Sequence, residues 1–359
     1  MISKELLAKH NVIKNVFDYQ AYETKDIYSN FESSFVSLFD SYAELFNIKD
    51  YCFYIANNDT CNTFAFKEKG YNIIGITNGY AILLSKKLDK KYFRNFVLAG
   101  INMDKPLQEA YIDLYEDKEF DMGKFMIDCS IQFTFSHEFQ HILQHNSSKF
   151  RKNDFLLQEN FVKDNFDMRK QAWEFDADRM ASYEVLKYVF SVHRNFKVTS
   201  DEKLKCLLYL GCSSIIITRT LFYFGVMNQV ESPFSVDKKE FYKKKYSHPH
   251  HLVRCMYIME YYLDNITEDF PRLKVSHQEL LINTMAVAKF YFDSLMPSHN
   301  IISDLFEDLK KHIDTINKYN QELYDFAVQD EAIRNLLLFR NMKFEDIQSF
   351  YVDDKKLHH

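Results

Sequence analysis

Three residues of the sequence have the types and spacing that metal-dependent chemistry requires. His137, Glu138 and His141 form the pattern HExxH within residues 131–144, a stretch without glycine or proline. On a helix the two histidines, four positions apart, project from one face, so both imidazoles can reach a single metal ion. Glu138 cannot share that face, but its carboxylate can lean over the metal's open side and accept a proton from bound water. The alternative is a chance match on an ordinary amphipathic helix.

A third protein ligand is expected on a second helix. Glu174 and Asp178 lie four positions apart in a proline-free run and therefore share one helix face. One carboxylate can bind the metal while the other accepts the free N–H of a ligand histidine. Neutral imidazoles and a carboxylate suit Zn²⁺, and three protein ligands leave one coordination position for water.

Together the two motifs resemble a known family. HExxH followed by an ExxxD helix is the pattern of the gluzincin zinc metallopeptidases, and the letters EFDAD that begin at Glu174 are similar to the CAAX prenyl protease and HtpX group. Two further elements resemble the same group: a hairpin over residues 62–66 and 73–79, and Ser247-His248-Pro249 followed by Arg254. Another HExxH family, the Lit-type phage-exclusion peptidases, offers a second resemblance.

The gluzincin resemblance implies a role for each of seven residues. It implies zinc bound by His137, His141 and Glu174, Glu138 as general base and then proton donor, Asp178 as the residue that orients a ligand histidine, and His248 or Arg254 as the partner of the substrate oxyanion.

Three of the nearby residues have alternative interpretations. His248 would otherwise belong to a polar loop with its neighbouring histidines, and Arg254 would pair with an acidic residue and fix the floor of the site. His145 could add a third imidazole to the HExxH face. The polar residues after it instead indicate a helix end, where a partial positive charge on His145 would favour the helix dipole.

Composition and patterning predict an α+β, mostly α fold, and the resemblance implies that this fold contains a zincin-like metallopeptidase core. The chain has 359 residues, of which 47% are hydrophobic and only seven are glycine and five proline, which favours long helices. Short β runs at 51–56, 63–66, 71–77 and 80–84 predict a small antiparallel sheet. The resemblance implies that an exposed sheet edge, at 62–66 or 71–77, pairs with an extended substrate.

Three domains are predicted from the same pass along the chain. They are an N-terminal helical segment at 1–50 that packs on the core, a zincin-like catalytic domain at 51–270, and a C-terminal helical region at 271–359. Phe31, Phe35, Leu38, Phe39, Tyr42 and Leu45 have the spacing of the packed face of the first segment.

Charge and cysteine content set the expected surroundings. The net charge of -6, with both signs interspersed, argues against a nucleic-acid partner. Six cysteines without a CxxC pair, and no signal peptide, predict reduced thiols in the cytoplasm. No membrane span is expected, because the most apolar run, residues 206–227, contains Arg219 and hydroxyl residues.

These observations predict a zinc-dependent endopeptidase that acts on a cytoplasmic protein substrate. Restricted access or a regulatory protein partner is expected, since a cytoplasmic protease must be kept from general proteolysis. A toxin or host-defence protease is one form of this prediction, suggested by the Lit-type resemblance. The alternative is a non-catalytic, metal-bound interaction scaffold, against which the intact Glu138 argues.

Overall fold

Two long helices, α6 (Met122–Ser147) and α7 (Met168–Arg194), carry the two sequence motifs and pack against each other. At the start of α6 the carboxylate of Asp121 accepts the backbone N–H of Gly123 at 2.8 Å. At the start of α7 the carboxylate of Asp167 accepts the N–H of Lys170 at 3.2 Å. Such caps supply acceptors for N–H groups that have none within the helix. The predicted helical placement of both motifs is confirmed.

The computed structural model describes residues 1–88, 90–99, 104–147, 155–158, 166–225 and 240–339. Around the central pair lie further helices, and a 3₁₀ turn spans Pro271–Leu273. The helices are α1 (Lys4–Lys9), α2 (Lys25–Leu45), α3 (Asn78–Lys87), α4 (Lys90–Ala99), α5 (Lys105–Glu116), α8 (Asp201–Phe224), α9 (His251–Asp269), α10 (His277–Leu295), α11 (Ile301–Ala327) and α12 (Glu331–Phe339). The α+β, mostly α class is confirmed, while the zincin-like core stays a prediction.

Four strands form one mixed sheet in the order β1-β3-β2-β4. They are β1 (Tyr51–Ala56), β2 (Thr63–Glu68), β3 (Tyr71–Thr77) and β4 (Phe155–Gln158). β3 runs parallel to β1, whereas β2 is antiparallel to both β3 and β4. The expectation of an antiparallel sheet is therefore wrong for one pair. β1 and β3 are buried along nearly their whole length. Because their sequences do not alternate between apolar and polar residues, they do not indicate which strand each one pairs with or in which direction.

The strand order also corrects the expected substrate edge. β3 lies between β1 and β2, and β2 lies between β3 and β4, so neither 62–66 nor 71–77 is an edge. Within the described residues, no strand pairs with the outer side of β4. The two outer strands of the described sheet are therefore β1 and β4, and β4 belongs to the segment between α6 and α7.

Residues 80–84, expected to form a strand, belong instead to helix α3. Asn78 does not make a hairpin turn: its side-chain oxygen accepts the N–H of Asn58 at 2.6 Å, which fixes the β1–β2 connection. Tyr80 is fully buried, and its hydroxyl lies 2.9 Å from that of Thr134 on α6. A short apolar run that is buried on every side has no periodicity that distinguishes a strand from a helix. This ambiguity explains why residues 80–84 were predicted to be a strand.

The aromatic face of α2 packs on α6, as predicted. Phe35 lies 6.3 Å from Phe135 and Phe39 lies 5.9 Å from Phe139, both edge-to-face between ring centroids. Aromatic pairs of this kind contribute about 0.5–1.5 kcal/mol each beyond their buried area. Leu45 is an exception to the predicted face, because 70% of it is exposed.

Helix α8 is long and apolar enough to cross a membrane, but 89% of its most apolar 18-residue window is buried inside the protein. Core helices and membrane spans share this composition. At Gly211 a Cβ atom would lie 2.8 Å from Val189 of α7 and 3.0 Å from the hydroxyl of Tyr262 of α9, so glycine permits a close approach there. All six cysteines are buried and unbridged. The cytoplasmic location stays a prediction.

The C-terminal helices expected from the sequence are confirmed as α10, α11 and α12, and residues 340–359 lie outside the described part. Asp330 caps α12 by accepting the N–H of Ala332 at 3.0 Å. The same carboxylate accepts the indole N–H of Trp173 at 3.1 Å, next to the predicted ligand Glu174. The C-terminal region is therefore bonded to α7 at the site. The three-domain division stays a prediction.

Candidate metal centre

Helices α6 and α7 bring together a group of three side chains that could hold a metal ion. One ligand atom from each of His137, His141 and Glu174 lies within 4.8 Å of the others. The two Nε2 atoms of the histidines are 3.1 Å apart, and each lies 3.3–3.5 Å from an oxygen of Glu174. The three residues are 1%, 1% and 3% exposed. The three predicted ligands therefore converge in a buried position.

The hydrogen-bond partners of the histidines fix which ring nitrogen carries the hydrogen. Nδ1 of His137 lies 2.9 Å from a carboxylate oxygen of Asp178, which can only accept. Nδ1 of His141 lies 2.9 Å from Oε1 of Gln144, whose amide nitrogen faces two other acceptors. Both Nδ1 atoms are thus donors, and the two Nε2 atoms present lone pairs to each other.

This donor set fits a cation. Two imidazole lone pairs and a carboxylate repel one another at these distances, and a positive ion among them turns the repulsion into attraction. Two nitrogen ligands and one oxygen ligand, with the far side of each histidine bonded to a fixed acceptor, are the usual surroundings of a protein-bound metal.

Asp178 is the most heavily bonded carboxylate of the site. It accepts Nε and Nη2 of Arg254 at 2.6 and 2.8 Å and the hydroxyl of Tyr257 at 2.6 Å, in addition to facing His137. Burial alone would raise the pKa of Asp178, but Arg254 and Arg219 outweigh it and hold that pKa well below its usual range. Asp178 is therefore a permanent anion that can keep His137 in the ligand orientation, as predicted for it.

Glu174 also has protein partners. Its two oxygens lie 3.3 Å from Nε2 of His248 and 3.0 Å from Nη2 of Arg254. Burial acts to raise the pKa of Glu174, but His248, Arg254 and His141 hold it well below its usual range. The carboxylate therefore stays ionised, as a metal ligand must.

The structure places the remaining candidates as follows. Glu138 is 1% exposed on α6 and belongs to no ligand contact, and its role as general base stays a prediction. Arg254 bridges two carboxylates, which is the ion-pair alternative considered for it. His248 lies beside Glu174 with Ser247 on its Nδ1 at 3.0 Å, so a hydrogen bond to substrate stays a prediction for it.

The segment around Pro249 is a loop, as the polar-loop alternative for these histidines has it, but this loop is buried. His248, His250 and His251 are all buried, and the last two bond to α8 through Tyr223 and Thr220, each at 3.1 Å. The segment around Pro249 is thereby fastened to the core rather than open to solvent.

No protein-family model, curated protein or solved structure matches this chain. The geometry of the site is therefore what bears on its function.

Three residues of the site were not singled out from the sequence. Gln144 lies three positions after His141, and Tyr257 three positions after Arg254, so helical spacing placed each beside its partner. Asp176 lies within the EFDAD letters, but its partners are on α6, and no local spacing in the sequence links them.

A cavity of about 610 Å³ adjoins the metal-binding group. Two of the ligands, His141 and Glu174, line it together with His145, Trp173 and Phe326. A small molecule or a substrate side chain could approach the metal-binding group through this cavity.

His145 lies in the last turn of α6, which ends at Ser147, so the expected helix end is confirmed. Its half-buried ring packs edge-on against Trp173 at 4.9 Å between centroids, and this partial burial lowers the pKa of His145 from an ordinary 6.5 to about 3. The lowered pKa disfavours the positive charge that the expected interaction with the helix dipole requires.

This burial predicts a pH dependence of stability. Between about pH 6.5 and 3, His145 binds a proton in the unfolded chain but not in the folded protein. The free energy of unfolding should therefore decrease as the pH is lowered from about 6.5 to 3. His145→Phe keeps the contact with Trp173 and should show a smaller loss between pH 7 and 5. Urea unfolding in the presence of a chelator measures this, with the exposed His10→Asn as control. Equal pH slopes for His145→Phe and wild type would contradict the prediction.

Proposed function

We propose that this protein is a zinc-dependent endopeptidase that hydrolyses peptide bonds of a protein substrate. The convergence of His137, His141 and Glu174 from two helices is the observation that carries the proposal. Two imidazoles and a carboxylate are the ligand set of many catalytic zinc sites, and three protein ligands leave a coordination position open. Zinc bound there would activate a water molecule for attack and polarise the carbonyl of the substrate.

In this proposal Glu138 moves the proton. It follows His137 directly on α6, so it lies beside the ligand face without occupying it. It accepts a proton from the attacking water and delivers that proton to the nitrogen of the leaving amine. Its burial excludes bulk water, which would otherwise compete for the same proton.

His248 and Arg254 have different tasks in the proposal. His248 touches an oxygen of Glu174 at the margin of the group, from which its ring can donate a hydrogen bond to the developing oxyanion. Arg254 is a positioning residue, because its guanidinium is engaged by Asp178 and Glu174 together. It fixes the two carboxylates relative to each other.

The outer strand β4 and the cavity beside the ligands together suggest how a substrate is held. An extended peptide can pair with β4 by main-chain hydrogen bonds, and a side chain can enter the cavity lined by Trp173 and Phe326. The ligands themselves are at most 3% exposed, so access is restricted. We therefore propose a selective protease; rapid degradation of unfolded casein would contradict this selectivity.

The proposal is tested by metal analysis and peptide hydrolysis on the purified protein. The expected result is a single zinc ion per chain and hydrolysis of members of a peptide library, lost with a chelator and restored by zinc. Zinc binding without hydrolysis of any peptide would favour the non-catalytic scaffold. A protein that binds no zinc would overturn the proposal.

Glu174→Ala should lose most of the bound zinc. Removing one of three protein ligands leaves two histidines that cannot hold the ion alone. The measurement is zinc content after dialysis against a weak chelator. Glu184→Ala, which removes a partly buried carboxylate paired with Lys187 on the same helix, is the control and should retain zinc. Wild-type zinc content in Glu174→Ala would mean that another residue completes the ligand set.

A further inference from the structure

A buried chain of hydrogen bonds runs from α7 to His141. Oδ2 of Asp176 accepts the amide nitrogens of Gln140 at 2.7 Å and Gln144 at 3.0 Å. Gln144 also donates to the carbonyl of Trp173 at 3.0 Å, and its own oxygen lies 2.9 Å from Nδ1 of His141. All the side chains of this chain of bonds are at most 2% exposed, so water does not substitute for any of its members.

The chain of bonds has a direction because a backbone carbonyl lies at one end of it. A carbonyl oxygen only accepts, so Gln144 must turn its NH₂ group toward Trp173, and the same nitrogen then faces Oδ2 of Asp176. Its oxygen then faces His141 and requires a hydrogen on Nδ1. The hydrogen-free nitrogen of His141 is consequently Nε2, which is the atom that points at His137 and Glu174.

We propose that Gln144, whose amide the Trp173 carbonyl orients, selects the His141 tautomer that can bind a metal and is therefore a positioning residue of the centre. This inference rests on the proposed zinc site. Asp178 performs the same task for His137 by direct contact. Without the Gln144 acceptor, the hydrogen of His141 could move to Nε2, where it would block coordination.

The first test compares two glutamines of α6. Gln144→Met removes the acceptor of His141, whereas Gln140→Met removes an equally buried hydrogen bond to Asp176 that does not reach a ligand. Zinc affinity is measured by competition with a chromophoric chelator. We expect Gln144→Met to bind zinc about 10–100-fold more weakly than wild type and Gln140→Met to stay close to wild type. A merely structural role would affect both variants alike.

The second test observes the tautomer itself. Nitrogen-15 spectra of the metal-free protein, with His141 assigned by its absence in His141→Gln, should show the hydrogen on Nδ1 in wild type and a mixture of both tautomers in Gln144→Met. The wild-type spectrum tests the inference by itself, so it serves even where Gln144→Met fails to fold.

The outcomes separate this inference from the proposed function. If wild type binds zinc but carries the His141 hydrogen on Nε2, or if Gln144→Met matches the zinc affinity of wild type, the inference is overturned and the zinc site stands. If wild type binds no zinc, the proposed function fails and the inference fails with it.

Discussion

Glu138→Gln should leave the zinc content unchanged and reduce kcat for peptide hydrolysis by about 10²–10⁴-fold. The amide has nearly the shape of the carboxylate but cannot accept a proton from the attacking water. Because the group that could hold the ion consists of His137, His141 and Glu174, the metal site itself should be unaffected. Zinc analysis and single-substrate kinetics on the same preparation measure the two quantities together.

A matched control for Glu138→Gln exists on the same helix. Asp128→Asn is likewise a carboxylate-to-amide change on α6, but Asp128 contacts Lys124 and Tyr188 away from the site. It should retain both zinc and turnover. Undiminished hydrolysis by Glu138→Gln would exclude Glu138 as the general base, and loss of zinc would show that it helps to bind the metal.

Arg254→Met should lower the free energy of unfolding by about 3–5 kcal/mol. The substitution leaves Asp178 and Glu174 as buried carboxylates without their shared cation. A buried ion pair contributes little net stability, but removing one partner leaves an uncompensated buried charge and is strongly destabilising. Urea unfolding with zinc removed by a chelator isolates this effect from metal binding.

Two companions sharpen the Arg254 experiment. Arg272→Met breaks an exposed ion pair with Asp201 and should cost only about 0–1 kcal/mol. The double variant Arg254→Met/Asp178→Asn should be less destabilised than the two single changes added together, because it removes one of the stranded charges. An Arg254→Met protein as stable as wild type would show that the two carboxylates are compensated elsewhere.

The parts of the site that follow local rules could be predicted from the sequence. His137 with His141, and Glu174 with Asp178, are each four apart on a helix, and that spacing fixes the relative direction of the two side chains. Their convergence across α6 and α7 was a prediction of the motifs, and the described structure brings the three ligands together.

The parts that depend on long-range packing could not be predicted in the same way. Residues 80–84 became a helix because Tyr80 reaches Thr134 on α6, a contact that no local pattern encodes. The parallel pairing of β1 with β3 could not be predicted either, because both strands are buried and their sequences do not indicate which strand each one pairs with. His145 was assigned a charge because polar residues follow it, but the half-buried ring packs against Trp173 of the other helix. Asp176 was missed because its hydrogen-bond partners are on the other helix.

The ligands' division between two helices also affects the lifetime of the molecule. A bound ion would fasten α6 to α7 and add a free energy of unfolding that grows with the zinc supply, about 2.7 kcal/mol when free zinc is a hundred times its dissociation constant. An increment of this size is a substantial fraction of the total stability of most proteins. Persistence of the chain in a cell would then follow the amount of exchangeable metal around it.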